Sequence, residues 1–288
     1  MKKKMRVMSE KPLNAETPIE ALRTWTTDNE VFFKRNQGQI MQRPIKLTSW
    51  KLSIDGLVKH KLILGFDEIR RMPKAELANT LECSGIKFIR SIPLEKAMDS
   101  TLLAYEMNGQ PLPLKHGYPM RALALGWTGA NCVKWLHKIT VLDQPHEGFF
   151  MDRVYRVFQR GEDPKTGKVV KEIDIKSIIV EPANAETLPA GIVPIRGAAY
   201  AGEAGIQGVD VSVDEGRTWQ PARLIGPDET YAWRHWEYLW EARQTGEFMI
   251  MARATDTGGR QQPGTARWNV LGYGNNGIGE HAIVVHIA

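Results

Sequence analysis

"GVDVSVDEGRTWQPARL", residues 208–224, alternates apolar and polar side chains, breaks at Asp-Glu-Gly, and resumes after Trp219. A period of two is the mark of a strand with one face buried, and a break rich in Asp and Gly is a hairpin turn. The same pattern recurs outward from this stretch, in "IKSIIVEP" (175–182), "VPIRGAAYAG" (193–202), "FMIMARATD" (248–256) and "AIVVHIA" (282–288). Short runs about ten residues apart, separated by Gly, Asp and Pro, predict an antiparallel, immunoglobulin-like β-sandwich over 173–288. The stretch before it, "QRGEDPKTGKVVKEID" (159–174), is charged and carries Pro164 and Gly167, as a linker does.

The first 165 residues read differently. "WKLSIDGLVKHKLILGFDEIRRMP" from Trp50 alternates, pauses at Asp55-Gly56, resumes, and shifts to a helical period over Phe66–Met72. Ser91-Ile92-Pro93 is a helix start, because proline costs little where an amide has no intrahelical partner, and the helix should run through about Met98. "YPMRALALGWTGANCVKWLHKITVLD" (118–143) holds two apolar runs, read as strands, around a loop with Gly126, Gly129 and Asn131. The expected fold class is α+β: a mixed α/β domain over 1–165, then the sandwich.

Composition bounds the function. The chain has 288 residues, 38 basic and 33 acidic, for a formal net charge of +5. That mixed surface argues against a nucleic-acid binder. Two cysteines, Cys83 and Cys132, without metal-finger spacing argue against structural zinc or a disulfide framework. The basic start "MKKKMRVMSEKP" leads into no apolar run, so neither a secretory signal nor a membrane-inserting helix is expected.

Three places carry chemistry. Cys83, in the turn Glu82-Cys83-Ser84-Gly85, is either a small buried hydrophobe or a soft thiolate ligand for a redox metal. His116, Arg121 and Lys134 flank the glycine loop and are either solvated edge charges or donors to one phosphate. Arg35 follows two aromatics in "FFKRNQG" (32–38), as a surface cation or an anion clamp. Two motifs carry none. "SVDEGRTW" (212–219) matches the Asp-box hairpin of sialidase propellers, but a propeller needs several copies and there is one. "GYGNNG" (272–277) has the Gly-x-Gly-x-x-Gly spacing with too few residues after it for a dinucleotide unit.

Taken together, "FFKRNQG", "WKLSIDGLV", "TLECSG", "RSIPLEKAMD", "LLAYEMNGQPLPLKHGYPMR", "GWTGANCVKWLHKITV", "GFFMDRVYRVF", "VDVSVDEGRTWQPARL" and "RWNVLGYGNN" resemble, in order and over nearly the whole chain, the sulfite oxidase family of molybdopterin enzymes. The resemblance implies a molybdenum–molybdopterin cofactor and a C-terminal immunoglobulin-like domain that pairs subunits into a homodimer. Cys83 resembles the cysteine that ligates molybdenum, Arg35 the arginine facing substrate, and Tyr155 the active-site tyrosine. Phe33, Lys34, Arg35, Asn36 and Gln37 match the N-terminal loop over the cofactor, while His116, Arg121, Cys132, Val133 and Lys134 match pterin and phosphate contacts.

The implied reaction is oxygen-atom transfer with a small oxyanion such as sulfite. Its electrons would pass to a separate acceptor such as a c-type cytochrome, since the chain has no Cys-x-x-Cys-His haem motif. The family resemblance points to the periplasm, the missing export signal to the cytoplasm. The chain also departs from the pattern. In the family the cysteine turn continues through a long segment before "RSIPLEKA"; here Gly85 is followed directly by Ile86 and that motif's lead-in. Leu271 stands where the family has a late substrate-pocket arginine, and Val154 where an acidic residue often precedes the tyrosine. Two readings result: a shortened molybdenum oxidoreductase, or a degenerate homologue that binds cofactor weakly and serves as a binding or assembly protein.

Overall fold

The computed structural model describes residues 5–11, 13–35, 43–82 and 89–288. The C-terminal half is the sandwich that the period-two runs require. One sheet places its strands in the order Lys176–Glu181, Gly191–Tyr200, Arg234–Ala242, Arg223–Ile225. The other runs Thr187–Leu188, Ile283–Ile287, Gly246–Asp256, Ile206–Ser212, Gln220–Pro221. Every pairing is antiparallel except the two-residue contact of Thr187–Leu188 with Ile283–Ile287, which is parallel. The inward positions of both sheets merge into one core containing Ile195, Val211, Trp236, Ile250, Ala254 and Val285. Burial of so many apolar side chains away from water is the main stabilising term of this half.

"SVDEGRTW" forms the turn between two strands of the second sheet and is closed by its own side chains. Ser212 Oγ accepts from the Gly216 amide (2.8 Å), and Asp214 accepts from the Thr218 amide (2.9 Å) and hydroxyl (2.6 Å). These donors stabilise the charged carboxylate and hold the Asp214 pKa down to about 2.

The N-terminal half has short elements and smaller cores. Lys51–Gly56 pairs antiparallel with Leu62–Gly65, which runs into the helix Phe66–Arg70, two residues shorter than the periodicity suggests. Glu68 ends its reach at the Gly65 amide (2.6 Å), so the helix carries its own N-terminal cap. The second helix is Leu94–Asp99, opening after Pro93. The two strands around the glycine loop do form, as Arg121–Ala124 and Lys138–Val141, but not as partners of each other. Arg121–Ala124 pairs antiparallel with Thr101–Ala104, and Lys138–Val141 pairs parallel with Lys51–Gly56. The glycine loop is therefore a crossover between two sheets. Trp50, Leu52, Phe66, Ile69, Met120 and Leu136 form the main core here.

The 159–174 stretch is folded: Arg156–Val157 pairs with Lys168–Val169 around a turn at Pro164–Thr166. The two halves meet closely where Gly126 and Gly202, both with positive φ (71° and 62°), face each other. A Cβ on Gly126 would lie 2.8 Å from the Gly202 backbone, so only glycine permits this approach. Beside it the buried Lys96 ammonium pairs with Glu203 and donates to Leu125 O (2.7 Å), and Trp127 Nε1 donates to the same Glu203 carboxylate (2.8 Å). No helix among the described residues is long and apolar enough to cross a membrane.

Candidate functional site

His116, Arg121 and Lys134 are brought together by the segment after the glycine loop. It doubles back along 117–122: Val133 O accepts from the Ala122 amide (2.9 Å), and the Leu136 amide donates to Met120 O (2.9 Å). Gly117, at φ 114°, allows the contact, because a Cβ there would fall 3.1 Å from Lys134 Cβ and 3.2 Å from Arg121 Cβ. His116 ends a 3₁₀ turn, Leu114–His116, and Arg121 opens its strand; both are buried.

The N-terminal loop completes the cluster. Lys34–Arg35 pairs with Leu13–Glu16, and Lys134 Nζ donates to Arg35 O (3.0 Å) and Lys115 O (3.0 Å). Phe33 stacks on Phe32 at 4.9 Å between centroids, and the Phe32 ring lies edge-on to His116 at 5.6 Å.

Burial and neighbouring cations both act on the titration of the site. His116 is pushed down to about 3, first by burial and then by Lys134, Arg121 and Lys34. Lys34 is lowered by burial and by Lys115, with partial compensation from Glu30. His116 Nε2 is buried and has no hydrogen-bond partner among the described residues. Buried polar atoms are nearly always paired, so an unpaired nitrogen within electrostatic reach of Lys134, Arg121 and Lys34 suits an anionic, hydrogen-bonding ligand. The donor set suits a pterin carrying a phosphate.

Cys132 and Val133 occupy this run differently: the Cys132 thiol is buried with its sulfur 3.9 Å from Ala124 O, and Val133 packs on the N-terminal core. Their side chains face the interior. Asn36, Gln37 and Cys83 lie outside the described residues.

Tyr155 stands in a second group, with a side chain fully buried at 0% exposure. It follows a single wide turn, Phe150–Val154, and its carbonyl accepts from the Val170 amide (2.9 Å). Over its ring, 5.2 Å from the centroid, lies the guanidinium of Arg90. Arg90 donates to Asn131 Oδ1 (2.7 Å), Val170 O (2.8 Å) and Met151 Sδ (3.0 Å), and burial draws its pKa down to about 10. Asn131 is itself fixed by donating to Thr128 Oγ1 (3.0 Å) and Lys171 O (3.2 Å). Next to Arg90 is a cavity of about 270 Å³ lined by Ile89, His146, Gly148, Phe149, Phe150 and Met151.

Arg90 and Asn131 were not among the residues the sequence singled out. The signal was thin: Arg90 opens "RSIPLEKAMD", a quoted motif, and Asn131 sits in the glycine loop. Arg90 is thus a second arginine, placed on Tyr155, whereas Arg35 lies with the cation cluster. The run 131–134 joins the two groups, with Asn131 reaching Arg90 and Lys134 reaching the cation cluster.

Comparisons with known proteins bear on the family and the fold. The family model described as "Oxidoreductase molybdopterin binding domain" matches residues 38–88 and 85–150, and that described as "Mo-co oxidoreductase dimerisation domain" matches 167–286. The chain is 31% identical to the mitochondrial sulfite oxidase of Homo sapiens over 366 residues, which covers 99% of this chain and 66% of that protein. It is 27% identical to the sulfite oxidase of Arabidopsis thaliana, covering 93% of this chain and 91% of that one. Among solved structures, the sulfane dehydrogenase SoxCD of Paracoccus pantotrophus superposes with a TM-score of 0.86 at 25% identity, covering 96% of this chain and 86% of that chain. The chain thus spans slightly under two thirds of the length of the human relative. The human alignment is longer than the chain's own 288 residues, and the first family match breaks at 85–88, where the sequence after the cysteine turn is short.

Proposed function

Because the chain belongs to the sulfite oxidase family of molybdopterin-binding oxidoreductases, we propose that it is a molybdenum-cofactor-dependent oxidoreductase acting on a small sulfur oxyanion such as sulfite. The observation that carries this reading is the buried His116 ring with an unpaired Nε2, within electrostatic reach of Lys134, Arg121 and Lys34. Such a cluster is costly without an anion and stabilising with one.

In this reading Lys34, His116, Arg121 and Lys134 hold the cofactor's phosphate and pterin, Phe33, Arg35, Asn36 and Gln37 line the loop beside them, and Cys132 and Val133 contribute main chain. Cys83 supplies the thiolate to the metal. When bound, the cofactor supplies two-electron oxygen-atom transfer. The chain's own part is to bind and orient. Arg90 and Arg35 present guanidinium donors to the oxyanion, geometry that suits bidentate recognition of its oxygens. The Tyr155 hydroxyl, on the ring under Arg90, donates a hydrogen bond and holds a proton at its oxygen while substrate is bound. Arg90 is already tied to Asn131 and Val170, so it arrives at the substrate oriented, which lowers the entropy cost of binding.

The same reading includes a division at about 165–173 between the cofactor-binding and dimerisation domains, a homodimer formed by the latter, and a separate electron acceptor such as a c-type cytochrome. It places the protein in the periplasm. A degenerate homologue acting only in binding or assembly is the less supported alternative, since such a protein has no need of cations gathered around a buried histidine.

The test is metal analysis with a sulfite assay. Protein from a cofactor-competent host should contain about one molybdenum per chain and reduce an artificial acceptor in the presence of sulfite. Arg121→Gln and Lys134→Gln should lower the metal content. Full-length, folded protein without molybdenum would refute the proposal.

A further inference from the structure

The residue that precedes Cys83 is tied to the opposite half of the molecule. Glu82 Oε1 pairs with Lys176 Nζ at 2.7 Å, and Glu82 Oε2 accepts from the Tyr200 hydroxyl at 2.9 Å. Lys176 and Tyr200 face each other on neighbouring strands of the sandwich, and both are buried. The Glu82 carbonyl accepts from the Gly129 amide (2.7 Å) in the glycine loop, two residues before Asn131. Upstream, the Thr80 amide donates to Tyr231 O (2.7 Å) and the Ala78 amide to Glu229 Oε2 (3.1 Å), again groups of the sandwich. Residues 78–82 are therefore laid along the C-terminal half up to the position immediately before the thiol. Burial, reinforced by the nearby Glu82 carboxylate, keeps the Tyr200 phenol far above its ordinary range, so it remains a donor at any working pH.

We infer that Lys176 and Tyr200 are positioning residues: by gripping Glu82 they set the direction in which the chain delivers Cys83, and the C-terminal domain thereby controls the metal's protein ligand as well as subunit pairing. This rests on the reading of Cys83 as that ligand. Groups that orient a metal ligand from behind are typically worth 10–100-fold in activity or affinity. Lys176 and Tyr200 are buried donors to a Glu82 carboxylate that is itself partly exposed, so removing either donor takes away a charge-assisted hydrogen bond and lets the segment relax.

The experiment compares Lys176→Met and Tyr200→Phe with Lys96→Met, which breaks the Lys96–Glu203 pair between the halves and leaves both side-chain contacts of Glu82 in place. In the metal-loaded full chain, K176M and Y200F should lower kcat about 10-fold with little change in KM, and shift the Mo(V) electron paramagnetic resonance signal. K176R should restore both. K96M should lower the melting temperature without moving the signal. Unchanged kcat and spectrum in K176M and Y200F would overturn the inference. Should the wild-type protein carry no molybdenum, the functional reading fails separately, and amide exchange over Leu81–Cys83 in the metal-free chain decides the anchoring. Faster exchange in K176M than in wild type supports the grip, and equal exchange overturns it.

Discussion

The sandwich and the N-terminal half are stabilised in opposite ways. The sandwich closes on one continuous core, with Trp236, Ile195, Ile250 and Val285 at 0% exposure. The N-terminal half divides its apolar residues between a core around Leu52 and Met120 and a small cluster around Tyr155 and Val170. Between these it buries His116, Arg121 and Arg90-bound Asn131, groups that water would solvate better. On the proposed reading, binding of the cofactor at the cluster around His116 would add to the stability of this half by mass action.

The sharpest test of this contrast is Cys83→Ser, which should abolish turnover while thermal unfolding of the sandwich stays unchanged. Conversely, Trp236→Ala should destabilise the sandwich by about 3–5 kcal/mol in chemical denaturation, as expected for emptying a fully buried indole site. Arg90→Gln should raise KM for sulfite about 10–100-fold in steady-state kinetics, the equivalent of a lost hydrogen bond to a charged group. Retained KM would remove Arg90 from the substrate site.

Two pH effects separate the halves further. The folded pKa of His116 lies near 3, below its ordinary 6.5, so the unfolded chain binds the extra proton and stability falls as pH drops from about 6.5 toward 3. His116→Gln should flatten that limb in the metal-free protein, measured by denaturation against pH. Asp214, held near 2 against an ordinary 3.8, stabilises the sandwich above about pH 4 and loses that contribution as pH falls through 2. Asp214→Asn should remove this smaller limb, at a cost of about 1 kcal/mol at neutral pH.

The same contrast governs what could be read before the structure. Strand alternation is local, so the sandwich, the hairpin at 212–219 and the strand–strand–helix unit at 51–70 were visible in the sequence. The Arg121–Ala124 and Lys138–Val141 strands were visible too, but not that they belong to different sheets, because pairing with Thr101–Ala104 and Lys51–Gly56 is set by tertiary packing. The cation cluster could be suspected because His116, Arg121 and Lys134 are near in sequence. Arg90 could not, since its partners Asn131, Met151 and Val170 are 41, 61 and 80 residues away and no local pattern announces them. Glu82 was quoted only as a neighbour of the thiol, its link to Lys176 lying 94 residues ahead.

The approach of Gly126 to Gly202 has a consequence for chimeras. Exchanging the second half for that of a relative transfers a surface on which a methyl group at position 202 would meet Ile173 O at 2.6 Å and Gly126 O at 3.1 Å. Recombinants should therefore survive when the donor brings this glycine, and an acid next to it for Lys96, whatever its sequence elsewhere.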